Sequence, residues 1–313
     1  MRLTAIISIL VAGSVSLLTS HPLEPQDRPT FKSNSELVVM HVSVRDHGGR
    51  YITGLTQDAF TVIDDGKPQA LEMFSAEEVP ASVGFLIDNS NSMRPSRDRV
   101  VASAVEFAKH SHPQDEIFVL TFNETVRHAW GPRLVAETDP AQFAAAMSDA
   151  ITARGMTAIY DGIVGGLSRL EHAKHTHQVL IVVSDGGDNA SHAKLGDVLK
   201  GVHESDATVY SVAIVDPLVP DGSNPKLLQR LAKSTGGEFY FPRRIEDVPQ
   251  AFERIAKDIR SAYTIAYIPT KNGDTAADRR RRTVKVYVRS NDGRALTVRA
   301  RDGYFDKGSE ARQ

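Results

Sequence analysis

The rhythm of apolar and polar positions changes twice along the chain. Val38, Met40, Val42 and Val44 alternate with Val39, His41, Ser43 and Arg45, the two-residue period of a strand with one covered face. Asp46-His47-Gly48-Gly49 then turns the chain. A second short strand from Phe60 to Ile63 is closed by Asp64-Asp65-Gly66, with residues 69 to 75 as its expected hairpin partner. Residues 36–79 therefore read as all β.

From Val83-Gly84-Phe85-Leu86-Ile87 onward the alternation disappears. This run is too short for a buried helix and fits a strand covered on both faces, as do Ile117 to Phe122, Val179 to Val183 and Val209 to Val215. Helical stripes lie between them. Val101, Ala104, Val105 and Ala108 recur at helix spacing after Pro95, and Ile159, Ile163, Leu167 and Leu170 form a second apolar stripe. Further helices fit 139–151, 192–205, 225–234 (stopped by Gly236-Gly237) and 246–260. Buried strands alternating with helices predict a Rossmann-like, doubly wound, mostly parallel α/β sheet over 80–261.

The β rhythm then returns. Tyr263, Ile265 and Tyr267 alternate with Thr264, Ala266 and Ile268, and Val284, Val286 and Val288 with Lys285, Tyr287 and Arg289. Asn291-Asp292-Gly293 predicts a hairpin into a third strand carrying Leu296, Val298 and Ala300. Neither terminal β segment has enough strands to bury a face alone. Residues 36–79 and 262–305 are therefore expected to form one β-sandwich into which the α/β domain is inserted, leaving 306–313 as a tail.

Met1-Arg2, the apolar run Leu3 to Leu18 and the small residues Ser14, Ser16 and Ser20 have the form of a secretory signal peptide over 1–20, followed by a Pro- and Ser-rich linker over 21–35. An uncleaved anchor is the second reading. The expected site of action is periplasmic, cell-surface or extracellular, with no membrane insertion after cleavage. The chain has no cysteine, which excludes disulfides, thiolate metal sites and cysteine nucleophiles. A net charge of -2, from 37 basic and 39 acidic residues, provides no global field for nucleic acid.

The candidate chemistry sits where the buried strands end. In open parallel sheets, ligands gather at the carboxyl edge of the strands. The first buried strand delivers Asp88-Asn89-Ser90-Asn91-Ser92 there, a carboxylate and two hydroxyls at alternate positions, with Asn91 standing where a tight turn often needs glycine. The strand at 179–183 ends on Ser184-Asp185-Gly186-Gly187, and Thr157 follows Gly155-Met156. Taken singly, the two aspartates are ordinary helix caps and the serines ordinary loop residues.

Together, Asp88-x-Ser90-x-Ser92, the distant Thr157 and Asp185 after an apolar strand resemble the metal-ion-dependent adhesion site of von Willebrand factor type A domains. The flanking β pattern ending Arg299-Ala300-Arg301-Asp302-Gly303-Tyr304 resembles a bacterial secreted group related to them. The resemblance implies that Ser90, Ser92 and Thr157 coordinate Mg²⁺ or Mn²⁺ (Ca²⁺ is the alternative), with Asp88 and Asp185 acting through waters and the hydroxyls. It also implies that an Asp or Glu carboxylate of a protein partner completes the ion. Met156 departs from the family, where glycine commonly precedes the threonine.

Rival readings are a metal-dependent hydrolase and a structural module of an envelope complex. The chain contains no H-E-x-x-H, G-x-S-x-G or Walker-type loop, so no enzyme is expected. Three weaker signals have plain readings: His172, His175 and His177 as a solvated helix end, Arg279 to Arg282 as a solvated hairpin loop, and Trp130 packed on an edge strand.

Overall fold

The structure is a computed structural model describing residues 37–215, 222–270, 281–290 and 293–305. The signal-peptide, linker and tail expectations, and the positions Arg279, Arg280, Asn291 and Asp292, lie outside the described residues.

The N-terminal strands are β1 (Val38–Arg45), β2 (Phe60–Asp64), β3 (Lys67–Gln69) and β4 (Leu71–Ser75). The central section runs β5 (Ala81–Asp88), α1 (Arg97–Lys109), β6 (Glu116–Phe122), β7 (Val126–Leu134), α2 (Pro140–Ala150), α3 (Ile159–Leu170) and β8 (His177–Ser184). It continues through α4 (Leu195–Glu204), β9 (Thr208–Ala213), α5 (Pro225–Thr235), β10 (Phe239–Tyr240) and α6 (Val248–Arg260). The chain closes with β11 (Tyr263–Tyr267), β12 (Arg281–Val288), β13 (Thr297–Arg299) and β14 (Gly303–Phe305).

The central sheet has the order β10-β9-β8-β5-β6-β7 and is parallel except for the edge strand β7. Every residue of β5 is buried, because α1, α2 and α6 cover one face while α3, α4 and α5 cover the other. Phe85 and Ile87 enter the first core and Leu86 the second. Gly84 is small for a reason: a Cβ there would lie 2.3 Å from the Phe118 ring. The α/β fold expected from the sequence is thus the fold observed. Asp139 caps α2 by accepting from the amides of Ala141 and Gln142, and Gly236 ends α5 in the left-handed conformation at φ 84°.

The terminal strands interleave into two four-stranded sheets, β13-β1-β11-β4 and β14-β12-β2-β3, which share one apolar core around Val42, Val62, Ile265 and Tyr267. Several expectations need correction. The hairpin partner of β2 is β3, while β4 crosses to the other sheet and pairs with β11. The strands that Asn291-Asp292-Gly293 was expected to join lie in different sheets, with β12 against β2 and β14, and β13 against β1. All of β11 is buried, so both of its faces are covered rather than one. Arg282 is not in a solvated loop: it is 3% exposed and donates to Asp64 at 3.0 Å, where the hydroxyls of Tyr267 and Tyr304 converge. His177 is 3% exposed and opens β8, unlike the exposed His172. Trp130 does pack on the edge strand β7, edge-on to Phe143.

Candidate metal centre

Strand order reverses around β5: the chain leaves it for β6 on one side and returns to β8 on the other. A crevice forms at the carboxyl ends of strands flanking such a point. Asp88 ends β5 and Ser184 ends β8, so the two loops bearing Ser90, Ser92 and Asp185 start side by side.

Asp88 is completely buried and Ser90 is 2% exposed, whereas Ser92 faces solvent. One oxygen of the Asp88 carboxylate accepts from the Ser90 amide at 2.9 Å. The other accepts from the Ser184 hydroxyl at 2.6 Å. The Ser90 and Ser92 hydroxyls are 3.0 Å apart. Asp185 is half-buried and accepts from the Gly187 amide at 2.9 Å. Burial pushes the Asp88 carboxyl up to about 6; the hydrogen bonds from Ser184 and Ser90 oppose that rise, and the nearby Asp185 charge adds to it. An anionic pocket short of positive charge is the electrostatic consequence.

Thr157 reaches the same edge from a third loop and is 7% exposed. Its amide donates to the Asn189 side chain at 2.7 Å, and its carbonyl accepts from the Asn189 amide at 2.9 Å, tying it to the loop after β8. The Asn91 amide donates to the Gly155 carbonyl at 3.3 Å, tying it to the loop after β5. The approach to Thr157 is therefore pinned rather than flexible. Glu124 pins it further by accepting from the Met156 amide at 2.8 Å. Gly155 has φ 90°, and a Cβ there would fall 2.4 Å from Glu124, so glycine suits this turn on both grounds. Met156 itself is 51% exposed beside Thr157.

Asn91 departs from expectation. It begins a 3₁₀ turn over Asn91–Ser96, and among the described residues the positive-φ non-glycine residues are Asp65 and Ala153. Ser184, Asn189 and Glu124 are the positioning residues that sequence reasoning did not single out. Ser184 immediately precedes Asp185, and its place at the strand end was the available signal.

The donor set is all oxygen, and hydroxyl-rich. Adjacent ligands of an octahedral ion with bonds of 2.0–2.1 Å stand about 3 Å apart, which is the separation of the two serine hydroxyls. Among the described residues no group of three His, Cys, Asp or Glu side chains converges as a conventional metal site. The residues at this edge fit a hard divalent cation and offer no soft ligand.

Residues 83–187 match the von Willebrand factor type A domain. The structure is similar to a von Willebrand factor type A protein from Catenulispora acidiphila, at 14% identity over 87% of this chain and 75% of that one, with a TM-score of 0.51. It is also similar to the PilB minor pilin from Streptococcus sanguinis, at 10% identity over 60% of this chain and 63% of that one, with a TM-score of 0.48. A third similarity is to proximal thread matrix protein 1 from the mussel byssus with a zinc-occupied MIDAS motif, at 17% identity over 64% and 50% of the two chains and a TM-score of 0.48. The chain spans less than two thirds of the pilin and half of the mussel protein. At 14% identity the first of these likenesses is one of fold alone. No curated protein matches the chain in sequence. The matched stretch runs from the strand that presents Asp88 to the loop that presents Asp185, so the segment carrying the candidate site is the one similar to the von Willebrand factor type A domain.

Proposed function

We propose that this protein is exported, and that Asp88, Ser90, Ser92, Thr157 and Asp185 together hold Mg²⁺ or Mn²⁺ to bind a carboxylate of a protein partner. Domains of this type mediate metal-dependent protein interactions. The observation that carries the reading is the pair of serine hydroxyls 3.0 Å apart, above a buried carboxylate braced from two strands. Ser90, Ser92 and Thr157 are the direct ligands in this reading. Asp88 and Asp185 orient them and hold bound water, so the first shell supplies oxygen but little charge. A bound cation supplies the positive charge that attracts an Asp or Glu from outside. Export rests on the Met1–Ser20 pattern. Among the described residues no helix is long and apolar enough to cross a membrane.

The test is binding of a short peptide with one central Glu to the full chain, measured by calorimetry in Mg²⁺ and again in chelator. Binding should be seen in metal, be lost in chelator, and be absent for the Gln peptide. Equal binding in both buffers would remove the metal from the reading.

A further inference from the structure

Strand β1 turns one face, His41, Ser43 and Arg45, away from the sandwich core and onto the α/β unit. Two of these contacts are polar anchors. The Ser43 hydroxyl donates to Asp258 at 2.5 Å, and Arg45 donates to Asp258 at 3.0 Å and pairs with Glu238 at 2.8 Å. The third is of another kind. The His41 ring stacks on the ring of His177 at the start of β8, with centroids 3.7 Å apart and planes 19° from parallel.

We propose that the His41–His177 stack is an acid-sensitive latch between sandwich and α/β unit: protonation of the pair drives the rings apart and releases the seam face of β1 while both cores stay folded. Neutral imidazoles stack favourably, whereas two imidazolium ions in that arrangement repel, and burial weakens the screening that water would provide. His177 is 3% exposed, and its Nδ1 has no hydrogen-bond partner, so a proton gained at that nitrogen would have no acceptor. His41 is partly buried, with Nδ1 3.2 Å from the Thr264 hydroxyl.

The surrounding charges come from several elements. Asp206 before β9 and Arg301 after β13 face His41, while Arg260 at the end of α6 and His175 before β8 face His177. The carboxylates near these cations are engaged: Arg301 pairs with Asp206 at 3.0 Å and Arg260 with Asp115 at 2.9 Å. Beside His41 lies a cavity of about 10 Å³, bordered by Asp206, Thr208, Thr235 and Arg301, with room for barely one water. A charged pair is therefore poorly hydrated on the His177 side, where the ring is 3% exposed. Burial pushes His41 down to about 4, with Asp206 opposing and Arg301 adding to the fall; His177 is held well below its usual range by burial, then by His41, Arg260 and His175. Both lie below the usual 6.5, so the closed seam is favoured above that value and opening is driven as pH falls from 6.5 towards 4.

Hydrogen exchange of the full chain at pH 7 and pH 4.5, corrected for intrinsic rates, tests the latch. Residues 38–45 and 263–267 should lose protection at least tenfold at the lower pH, while 83–87 and 284–288 keep theirs. The double variant His41→Phe/His177→Phe, which keeps stacked rings without a titrating proton, should hold its protection at pH 4.5. Uniform loss across all four segments, no loss, or the same loss in the double variant would overturn the latch. Should that variant not fold, titration of the wild-type imidazole C2 protons by magnetic resonance decides. Both rings titrating at least one pH unit below free imidazole supports the latch, and either titrating near 6.5 contradicts it.

Discussion

The Ser184 hydroxyl, at the end of one buried strand, donates to the Asp88 carboxylate at the end of its neighbour across 2.6 Å. The same oxygen accepts from the Gly186 amide at 3.0 Å, so one side chain braces Asp88 and shapes the turn that presents Asp185. Removing such a brace from a metal site costs about 10- to 100-fold in affinity. Ser184→Ala should lower Mg²⁺ affinity by that order in calorimetry with an unchanged circular dichroism spectrum, and Ser184→Thr should restore most of it.

The buried Asp64–Arg282 pair joins β2 to β12, and the two Tyr hydroxyls complete the Asp64 oxygens. Truncating one partner of a buried pair leaves an uncompensated charge and costs about 3–5 kcal/mol. Arg282→Met should destabilise the chain to urea by that amount. The double variant Asp64→Asn/Arg282→Met should recover part of the loss, because no unpaired charge remains.

Glu238 ties β13 to the α/β unit. Burial alone would raise its carboxyl, but the charge and hydrogen bond of Arg299, the Tyr240 hydroxyl and the Arg45 charge hold it below the ordinary 4.5. A carboxylate with a lowered folded value binds fewer protons folded than unfolded. Its contribution is thus fully present above about 4.5 and is lost as pH falls through the folded value. Stability measured by urea from pH 6 to pH 3 should fall more gently below pH 4.5 in Glu238→Gln than in the wild type.

Strands β1 to β4 find their partners mostly in β11 to β14: β1 lies between β11 and β13, and β2 lies between β3 and β12. A peptide of residues 36–79 should therefore be unfolded alone and give a collapsed proton spectrum. A dispersed spectrum with cooperative melting would mean that the N-terminal strands do not need the C-terminal ones.

Much of this arrangement is legible in the sequence, because two-residue alternation and unbroken apolar runs report directly on one or two covered faces. The runs at Val83 and Val179 placed β5 and β8, and with them the loops of Asp88 and Asp185. Partnership between strands is not local and was read less well. Nothing in Leu71 to Ser75 distinguishes a hairpin partner of β2 from a strand that crosses to β11. Burial of polar residues escaped for the same reason. Arg282 and His177 look like surface residues until Asp64 and His41, more than a hundred positions away, are brought against them. Ser184 and Asn189 brace the site through bonds that spacing alone does not encode.

The most direct measurement of the central claim is calorimetric titration of Mg²⁺ and Mn²⁺ into the wild type, Thr157→Ala and Asp88→Ala, each shown folded by circular dichroism. Thr157→Ala removes a proposed oxygen ligand from a loop whose backbone is fixed by Asn189, and Asp88→Ala removes the carboxylate that Ser90 and Ser184 hold in place. One site per chain is predicted in the wild type, with at least about tenfold weaker binding in both variants. Equal affinity in all three proteins would contradict a metal centre at the carboxyl ends of β5 and β8.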